Sequence, residues 1–326
     1  QIHKEFKTNN IKGDDVIVLE SSNEMTEALA LVREITDLVE RKGYKYNEIA
    51  VLYRANFQSL YPEEAFLQNK IPFYIQGGSC FYKKREIKFL LFYLRVINDP
   101  DCDEADDALL NILNAPVRYI SNKSKAELKE FCDKKDIHLY QGLKETRFDT
   151  PFIRKNIREF INFMDPLIDA VDTFGPSELL KLLRNNLDYD RFIVDEDLPT
   201  IDDVIIENLN HLQLSAARYN DIKSFLEYTD TFEDSNISEN KDGVSLMTIH
   251  KSKGLEFKIV FLIGLVDTLL PSAKGNIEEE RRICFVAISR AMELLFLSYP
   301  LGYLNQPSKK SIFIDEILGN KEPEKK

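Results

Sequence analysis

The sequence lacks several features that define common classes of protein. Its 326 residues contain no tryptophan, no C-x-x-C pair, and only four histidines, none of them four residues from another. The four scattered cysteines are Cys80, Cys102, Cys132 and Cys284. A structural zinc site needs clustered ligands, and a secreted disulfide framework needs a smaller, cysteine-dense chain. We therefore expect no metal site in this chain, and we expect reduced, buried thiols in a cytoplasmic protein.

Three further absences concern nucleotide binding, membranes and targeting. The phosphate-binding loop of P-loop enzymes needs G-x-x-x-x-G-K-[ST], and this chain has no Gly-Lys dipeptide. We therefore expect no complete ATP site of that type within the chain. No run of about eighteen uncharged apolar residues occurs, so we expect no membrane span. The chain starts at Gln1 without a basic-then-apolar leader, and we expect it to be part of a longer product.

The charge distribution is uneven along a chain whose composition is otherwise ordinary for a folded protein, with 44% hydrophobic and 30% charged residues. The formal net charge is −12, yet residues 1–99 are neutral, residues 244–326 carry +2, and residues 100–243 carry −14. Binding to phosphates needs Lys and Arg, so only the outer segments suit a polyanion. The acidic middle segment therefore indicates an insertion with a surface of its own.

Hydrophobic patterning separates the outer segments from the middle. The strands predicted in the outer segments are 16–19, 49–53, 72–75, 244–249, 258–265 and 294–299, with helices between them. This alternation predicts a parallel sheet covered by helices. The middle segment keeps a helical period broken by prolines, which predicts a helical bundle. We thus expect an α/β domain (1–99 plus 244–316), an all-helical insert domain (100–243) and a mobile tail (317–326).

The stretch 248–257 (TIHKSKGLEF) is the most informative part of the chain. We expect the strand before it to bring Thr248, His250 and the following loop to the carboxyl edge of the sheet, where ligands bind in such folds. A hydroxyl, an imidazole and two lysines suit a phosphate backbone. Gly254 permits a tight turn, and the carboxylate of Glu256 follows it.

A second cluster of charged residues lies on the helix predicted over 278–291. Arg281 and Arg282 are expected to pair with the three glutamates that precede them. Arg290 lies near the end of this helix, with no acidic residue after it before Glu293. Its guanidinium is therefore available to reach out of the domain, the simpler alternative being a surface ion pair with Glu293.

These two stretches resemble motifs V and VI of the UvrD/Rep/PcrA helicases of superfamily 1. Residues 49–59 (IAVLYRANFQS) and 77–87 (GGSCFYKKREI) are similar to accessory motifs IVa and IVb of the same family. The four matches occur in the family's order, within about residues 14–300. The resemblance implies the C-terminal half of such a helicase. Its fold would be a RecA-like domain of the P-loop NTPase type that lacks the P-loop itself (2A), interrupted by the helical 2B domain.

The resemblance also implies roles for individual residues. Arg290 matches the arginine that reaches the γ-phosphate of ATP held by the partner domain. Glu256 matches the acid that contacts the ribose, with Gly254 shaping the loop. The implied contacts to single-stranded DNA are Thr248, His250, Arg54 and Asn56. The simpler alternatives are that Thr248 and His250 merely finish a strand, and that Arg54 caps one.

The function implied is that of an ATP-dependent DNA helicase that moves 3′ to 5′ in repair or replication restart. ATP with Mg²⁺ would be the cofactor, and the Mg²⁺ ligands and the P-loop would lie in the N-terminal half. The expected partners are single-stranded DNA, its junction with duplex DNA, and that N-terminal half, with no membrane. Two alternatives are a stand-alone nucleic-acid or protein-interaction module without ATPase activity, and the motor part of a recombination helicase-nuclease.

One loop departs from the family pattern. Residues 115–121 read APVRYIS, where relatives often have P-x-R-G-I-G. Capture of a duplex phosphate by backbone groups needs glycine for a close approach. Because Tyr119 and Ser121 stand at the glycine positions, we expect weak duplex binding by this loop.

Overall fold

The computed structural model describes residues 15–195, 202–233, 242–273 and 275–319. They form two compact units, which we call the sheet unit (described residues up to 80 and from 242 onward) and the helical unit (described residues from 81 to 233). No helix among the described residues is long and apolar enough to cross a bilayer.

The sheet unit is built on six parallel strands in the order β1-β6-β5-β2-β4-β3. The strands are β1 (Ile17–Ser21), β2 (Ile49–Tyr53), β3 (Phe73–Ile75), β4 (Val244–Thr248), β5 (Phe257–Leu262) and β6 (Ala291–Pro300). All residues of β2 and β4 are buried, as expected for central strands with helices on both faces. The predicted α/β fold with a RecA-like parallel sheet is confirmed.

Four helices flank this sheet. They are α1 (Glu24–Glu40), α2 (Leu60–Gln68), α12 (Ile277–Ile288) and α13 (Ile312–Leu318). Helix α1 begins where Asn23 Oδ1 accepts the backbone N–H of Thr26 at 2.9 Å. Helix α12 begins in the same way, since Asn276 Oδ1 accepts the N–H of Glu278 at 2.9 Å.

Alternation along β2 divides the core into two layers. Ile49, Val51 and Tyr53 pack in one hydrophobic cluster with residues of α1 and α2. Ala50 and Leu52 pack in the other, with residues of α12 and α13. Because successive side chains of a strand point to opposite faces, α12 and α13 cover the face opposite α1 and α2.

Every element of the helical unit that the structure describes is a helix, as the sequence predicts. These helices are α3 (Arg85–Asn98), α4 (Asp103–Ile112), α5 (Asn122–Lys135), α6 (Leu139–Glu145), α7 (Pro151–Asp169), α8 (Pro176–Asn186), α9 (Tyr189–Asp195), α10 (Asp202–Ala216) and α11 (Ile222–Glu233). The boundary differs from the predicted one at 99, because α3 groups with the helical unit. The apolar stripe of α3 packs against α4, α7, α8, α10 and α11.

Three details of the sheet unit also differ from the predictions. Helix α12 ends at Ile288 rather than 291, because Ser289 caps it and β6 starts at Ala291. Helix α13 continues to Leu318, inside the predicted tail, while residues 320–326 lie outside the described residues. A short antiparallel hairpin, β7 (Gly302–Tyr303) with β8 (Gln306–Pro307), was not predicted.

Candidate functional site

The ends of β2 and β4 bring four of the predicted site residues to one edge of the sheet. Tyr53 and Thr248 are partners in the parallel register. The residues that follow each strand, Arg54 and Asn56 after β2 and His250 after β4, therefore lie at the same carboxyl edge. Thr248 is buried, whereas His250 and Asn56 are exposed. We call these residues the carboxyl-edge cluster: Arg54, Asn56, Thr248 and His250.

Within this cluster Arg54 is held by a buried carboxylate. Its Nε and Nη2 donate to the two oxygens of Glu280 at 3.1 and 2.8 Å. Glu280 lies in the first turn of α12, its side chain is 3% exposed, and it also accepts the backbone N–H of Ser272 at 3.1 Å. The remaining nitrogen of Arg54, Nη1, has no hydrogen-bond partner among the described residues. The pair thus fixes the guanidinium and leaves its Nη1 available to donate to a ligand.

The Arg54–Glu280 pair also sets the charge of Glu280. Burial alone would raise the pKa of this carboxyl. The hydrogen bonds from Arg54 and Ser272, together with the nearby charges of Arg54 and His250, outweigh burial and hold the pKa below its usual range. Glu280 is therefore an ionised anchor at the carboxyl edge of the sheet.

One of the two lysines in the 248–257 stretch is engaged by a neighbouring turn. Lys251 Nζ donates to the carbonyl of Gly77, and its side chain lies over Gly77 and Gly78. Gly77 adopts a positive φ of 63°, which suits glycine. The turn that resembles motif IVb is thereby held beside the stretch that resembles motif V, while Lys253 is exposed.

The other predicted residues lie at the opposite edge of the sheet. Phe257 and Ala291, the first residues of β5 and β6, are register partners. Glu256 and Arg290, which directly precede these strands, therefore lie at the amino edge. The prediction that the whole loop reaches the carboxyl edge was wrong for its second half. The short 3₁₀ turn after β4 (Ile249–Ser252) and the residues that follow it carry the chain across to the start of β5.

The side chain of Arg290 is held at this edge by three hydrogen bonds. Nη1 donates to the carbonyl of Leu255, Nε to the carbonyl of Val286 and Nη2 to Ser289 Oγ, each at 2.9 Å. The guanidinium therefore lies against the end of α12 and the residue before Glu256. Among the described residues it has no ion pair with Glu293. Nη1 and Nη2 each keep one N–H that is unused within the described part of the chain.

Gly254 and Glu256 complete what we call the amino-edge cluster: Gly254, Glu256 and Arg290. Gly254 has a φ of 85°, and a Cβ there would meet no atom within 4 Å. Glycine is therefore required for the backbone conformation and not for space. Glu256 is exposed, and its carboxylate has no partner among the described residues. The Leu255 carbonyl that accepts from Arg290 immediately precedes it, so the arginine and the acid share one solvent-facing rim.

Helix α12 connects the two clusters. Glu280 in its first turn contacts Arg54 at the carboxyl edge, and Arg290 follows its last turn at the amino edge. A helix of 12 residues is about 18 Å long, close to the height of a five-residue strand. The helix therefore spans the sheet from one edge to the other.

The pairing of Glu280 was missed by the sequence analysis. The three glutamates before Arg281 and Arg282 were expected to pair with those arginines. Arg281 does pair with Glu278, at 2.5 Å, and also with Glu316 of α13, at 2.8 Å. Glu280 turns instead toward Arg54, which is 226 residues away in sequence. No local spacing could reveal this pair.

Glu27 is a second buried acid that the sequence analysis did not single out. Its Oε1 accepts the backbone N–H of Gly264 at 3.0 Å and the hydroxyl of Ser298 at 2.6 Å. Burial raises the pKa of Glu27 to about 7, and the two hydrogen bonds only partly oppose this shift. A glutamate in the first turn of a helix would ordinarily be read as an exposed residue that favours the helix dipole.

The helical unit contains one group of side chains with the composition of a metal site, which are Asp103, Asp106 and His138. His138 Nδ1 lies 3.1 Å from Asp106 Oδ2, and this contact raises the pKa of His138. The other oxygen of Asp106 accepts the backbone N–H of Leu139 at 2.7 Å. Asp106 therefore has a structural role, since it caps the start of α6.

The six-stranded parallel sheet with its flanking helices defines an α/β domain of the RecA-like class. The chain belongs to the family of UvrD-like helicase C-terminal domains, whose model matches residues 1–301. The predicted membership of the UvrD/Rep/PcrA group is thereby confirmed.

Individual helicases are also similar to this chain. The chain is 32% identical over 306 residues to the ATP-dependent DNA helicase Rep of Buchnera aphidicola subsp. Acyrthosiphon pisum, covering 88% of this chain and 47% of the relative. It is 34% identical over 333 residues to the ATP-dependent DNA helicase PcrA of Staphylococcus epidermidis, covering 95% and 45%. The corresponding PcrA of Staphylococcus aureus is 30% identical. The chain thus spans less than half the length of these relatives.

Proposed function

We propose that the chain is the C-terminal part of an ATP-dependent DNA helicase, which translocates 3′ to 5′ on single-stranded DNA and unwinds duplex DNA. In this proposal the sheet unit is the second RecA-like domain (2A), and the helical unit is the inserted 2B domain. The N-terminal half supplies the P-loop and the Mg²⁺ ligands. Membership of the UvrD-like family and the names of the Rep and PcrA relatives support the proposal.

The amino-edge cluster is proposed as one wall of the ATP cleft. Arg290 acts as an arginine finger, since its two unused N–H groups suit phosphate oxygens and its other donors are fixed by carbonyls and a hydroxyl. Such an arginine stabilises the charge of the phosphoryl-transfer transition state, which increases the rate roughly 10³- to 10⁵-fold. The exposed carboxylate of Glu256 suits the ribose hydroxyls, and Gly254 shapes the turn that carries it.

The carboxyl-edge cluster is proposed as part of the track for single-stranded DNA. Exposed His250 and Asn56 and the open Nη1 of Arg54 are donors suited to phosphate oxygens. Thr248 is only 8% exposed, so its hydroxyl is less accessible than these groups. Glu280 keeps the Arg54 guanidinium in place, which reduces the entropy lost when the arginine binds a phosphate.

The strongest support for the proposal is the position of α12, which begins at the Arg54–Glu280 pair and ends in the amino-edge cluster. A nucleotide that draws Arg290 toward the partner domain would pull on α12. Because the helix is packed as a unit, its other end would move Arg54 and the residues beside it. Rigid elements of this kind link ligand-dependent closure to movement elsewhere.

The test joins the chain to its N-terminal half and compares two arginines of the same helical region. Arg290→Ala should lower kcat for ATP hydrolysis about 10³-fold or more, while the Kd for ATP stays nearly unchanged. Arg282→Ala removes an exposed arginine of α12 and should change neither quantity. Equal losses of binding and hydrolysis in Arg290→Ala would mean that the arginine serves folding, and would refute its role as a finger.

A further inference from the structure

The helical unit presents two large aromatic rings to solvent. Tyr119 is 71% exposed and Phe152 is 52% exposed, with ring centroids 6.1 Å apart. Val117, which is 50% exposed, lies at the same surface. These side chains border an open cavity of about 360 Å³, which Phe160 also lines. These three exposed apolar side chains therefore form one surface beside the cavity.

The loop that carries Tyr119 is fixed on its N-terminal side by the side chain of Arg118. Arg118 Nη1 donates to the carbonyls of Ile112 and Pro116 at 2.9 and 3.1 Å, and Nη2 donates to the hydroxyl of Tyr93 at 2.8 Å. Its guanidinium also lies 4.8 Å from the ring centroid of Phe160. Arg118 is therefore committed to holding the loop.

Both peptide groups beside Tyr119 are fixed as well. Asn156 Nδ2 donates to the carbonyl of Arg118 at 2.6 Å. Asn114 bonds both the N–H and the carbonyl of Ile120, at 2.9 and 2.8 Å. Between these anchors Tyr119 has a φ of 56°, a left-handed conformation that costs a non-glycine residue about 1–2 kcal/mol. The loop thus holds an aromatic ring outward at a position where glycine would be relaxed.

The two segments that carry the rings are basic, although they lie in the part of the chain that is acidic as a whole. Residues 116–125 and 150–159 carry six basic side chains and one acidic, whereas residues 100–243 as a whole carry 17 basic and 31 acidic. Lys155 and Arg158 are exposed on α7, close to Phe152 in sequence. The acidic exception, Glu159, lines the cavity and pairs with Lys155 at 3.7 Å, both groups being solvent-exposed. Arg118 holds the loop and Lys125 donates to the carbonyl of Leu110, so exposed cations such as Lys155 and Arg158 are the ones available to attract a polyanion.

We propose that the Tyr119–Phe152 surface binds unpaired nucleotides of a single-stranded nucleic acid by stacking on their bases, while Lys155 and Arg158 contact the phosphates. Stacking on exposed aromatic rings accepts any base, and a base within a duplex offers no free face to such a ring. The surface therefore favours single strands over duplexes. Its stacking contact comes from the ring of Tyr119, which a glycine at this position would lack. It lies in the helical unit and is independent of both clusters of the sheet unit, so it can fail while the proposed helicase function stands.

The absence of tryptophan from the chain allows a direct test. Tyr119→Trp gives the full chain a single indole at the proposed site. Titration with a short oligothymidine should quench its fluorescence, and an oligonucleotide of equal length with abasic residues should not. Phe152→Ala in this background should raise the Kd about five- to hundredfold. Phe131→Ala, which removes a partly buried ring of α5 in the same unit, should leave the Kd unchanged.

A second variant pair separates loss of binding from loss of folding. Phe152→Trp should report the same quenching, and adding Tyr119→Gly should raise its Kd about five- to hundredfold while the protein remains folded, since glycine relieves the strain at this φ. Equal quenching by the abasic oligonucleotide would show phosphate binding alone and would overturn the proposal. Absence of quenching by oligothymidine would do the same. Fluorescence that changes with protein concentration alone would assign the surface to contact with a second copy.

Discussion

Arg54 and Glu280, 226 residues apart in the sequence, form a two-pronged ion pair at the carboxyl edge of the sheet. The carboxylate is almost fully buried, whereas a quarter of the arginine side chain is exposed. The pair joins the loop after β2 to the first turn of α12 and leaves one nitrogen of the arginine open. The pair therefore links two elements of the fold, and its arginine is also positioned to contact a ligand.

The first prediction concerns the stability that this pair contributes. Arg54→Ala should lower the free energy of unfolding by roughly 3 kcal/mol, because it leaves a buried carboxylate without its counter-charge. Glu280→Gln should cost less, since an amide oxygen can still accept from Arg54 and Ser272. Urea denaturation of both single variants and the double variant gives the coupling energy.

A matched cycle uses Asp37 in the last turn of α1 and Arg41 directly after the helix, a solvent-accessible pair at 3.0 Å. Their coupling should be about 0.5 kcal/mol or less. If the Arg54–Glu280 coupling were equally small, the pair would not be the structural link inferred here.

The second prediction concerns pH and the buried acid Glu27. Its pKa is about 7 in the folded protein, compared with 4.5 as the ordinary value. Between these values the folded state binds more protons than the unfolded state, so stability contributed by Glu27 is lost as pH rises through this window. Glu27→Gln should remove that loss. The variant should therefore be more stable than the parent chain at pH 8 by roughly 2–3 kcal/mol, with the difference shrinking toward pH 5.

Urea denaturation at pH 5, 6, 7 and 8 measures this difference. Glu40→Gln removes the same charge from the exposed end of the same helix and should show no such trend. A constant difference between Glu27→Gln and the parent chain at all four pH values would contradict the prediction.

The third prediction concerns the turn at Gly254. Gly254→Ala should cost about 1 kcal/mol, because alanine is strained at a φ of 85° although there is space for its Cβ. Gly43→Ala is a close match, with a φ of 77° and equally open surroundings after α1. Thermal unfolding should show similar losses for both. In the protein joined to the proposed N-terminal half, only Gly254→Ala should raise KM for ATP, and a similar change in Gly43→Ala would argue against a nucleotide role for this turn.

The fourth prediction concerns the chain on its own. Since it contains no Gly-Lys dipeptide and hence no P-loop, the chain alone should hydrolyse no ATP above background. A phosphate-release assay with and without oligothymidine measures this, with the joined protein as the positive control. Turnover that survives purification and is lost in Arg290→Ala would show that the cleft is not divided between two halves.

The fold was predictable because its signals are local. The buried strands β2 and β4 appear as apolar runs, and Asn23 in the capping segment marks the start of α1. The helix boundary after Ile288 was harder, because Ser289 and Arg290 are compatible with a helix. Only the immediate start of β6 in the sheet ends α12 there.

The site was predictable in its members but not in its arrangement. Motif resemblance singled out Arg54, Arg290 and Glu256, yet the loop was expected to stay at the carboxyl edge and the helix to run past Arg290. The start of β5 after Glu256 and of β6 after Arg290 puts both residues at the opposite edge. The partner of Arg54 was missed because it lies 226 residues away in sequence. The outward-facing Tyr119 is a departure from the family pattern, and the anchors that hold it, Asn114 and Asn156, are ordinary residues in sequence.

The span of α12 has a thermodynamic consequence for any ligand that shifts this helix. A molecule bound at one rim that favours one position of the helix changes the affinity of the other rim by a defined factor. Linkage requires the second molecule to change the affinity of the first by the same factor. Because α12 is anchored at both edges of the sheet, a ligand at either edge that shifts the helix changes the affinity of the other edge by the same factor, whichever ligand binds first.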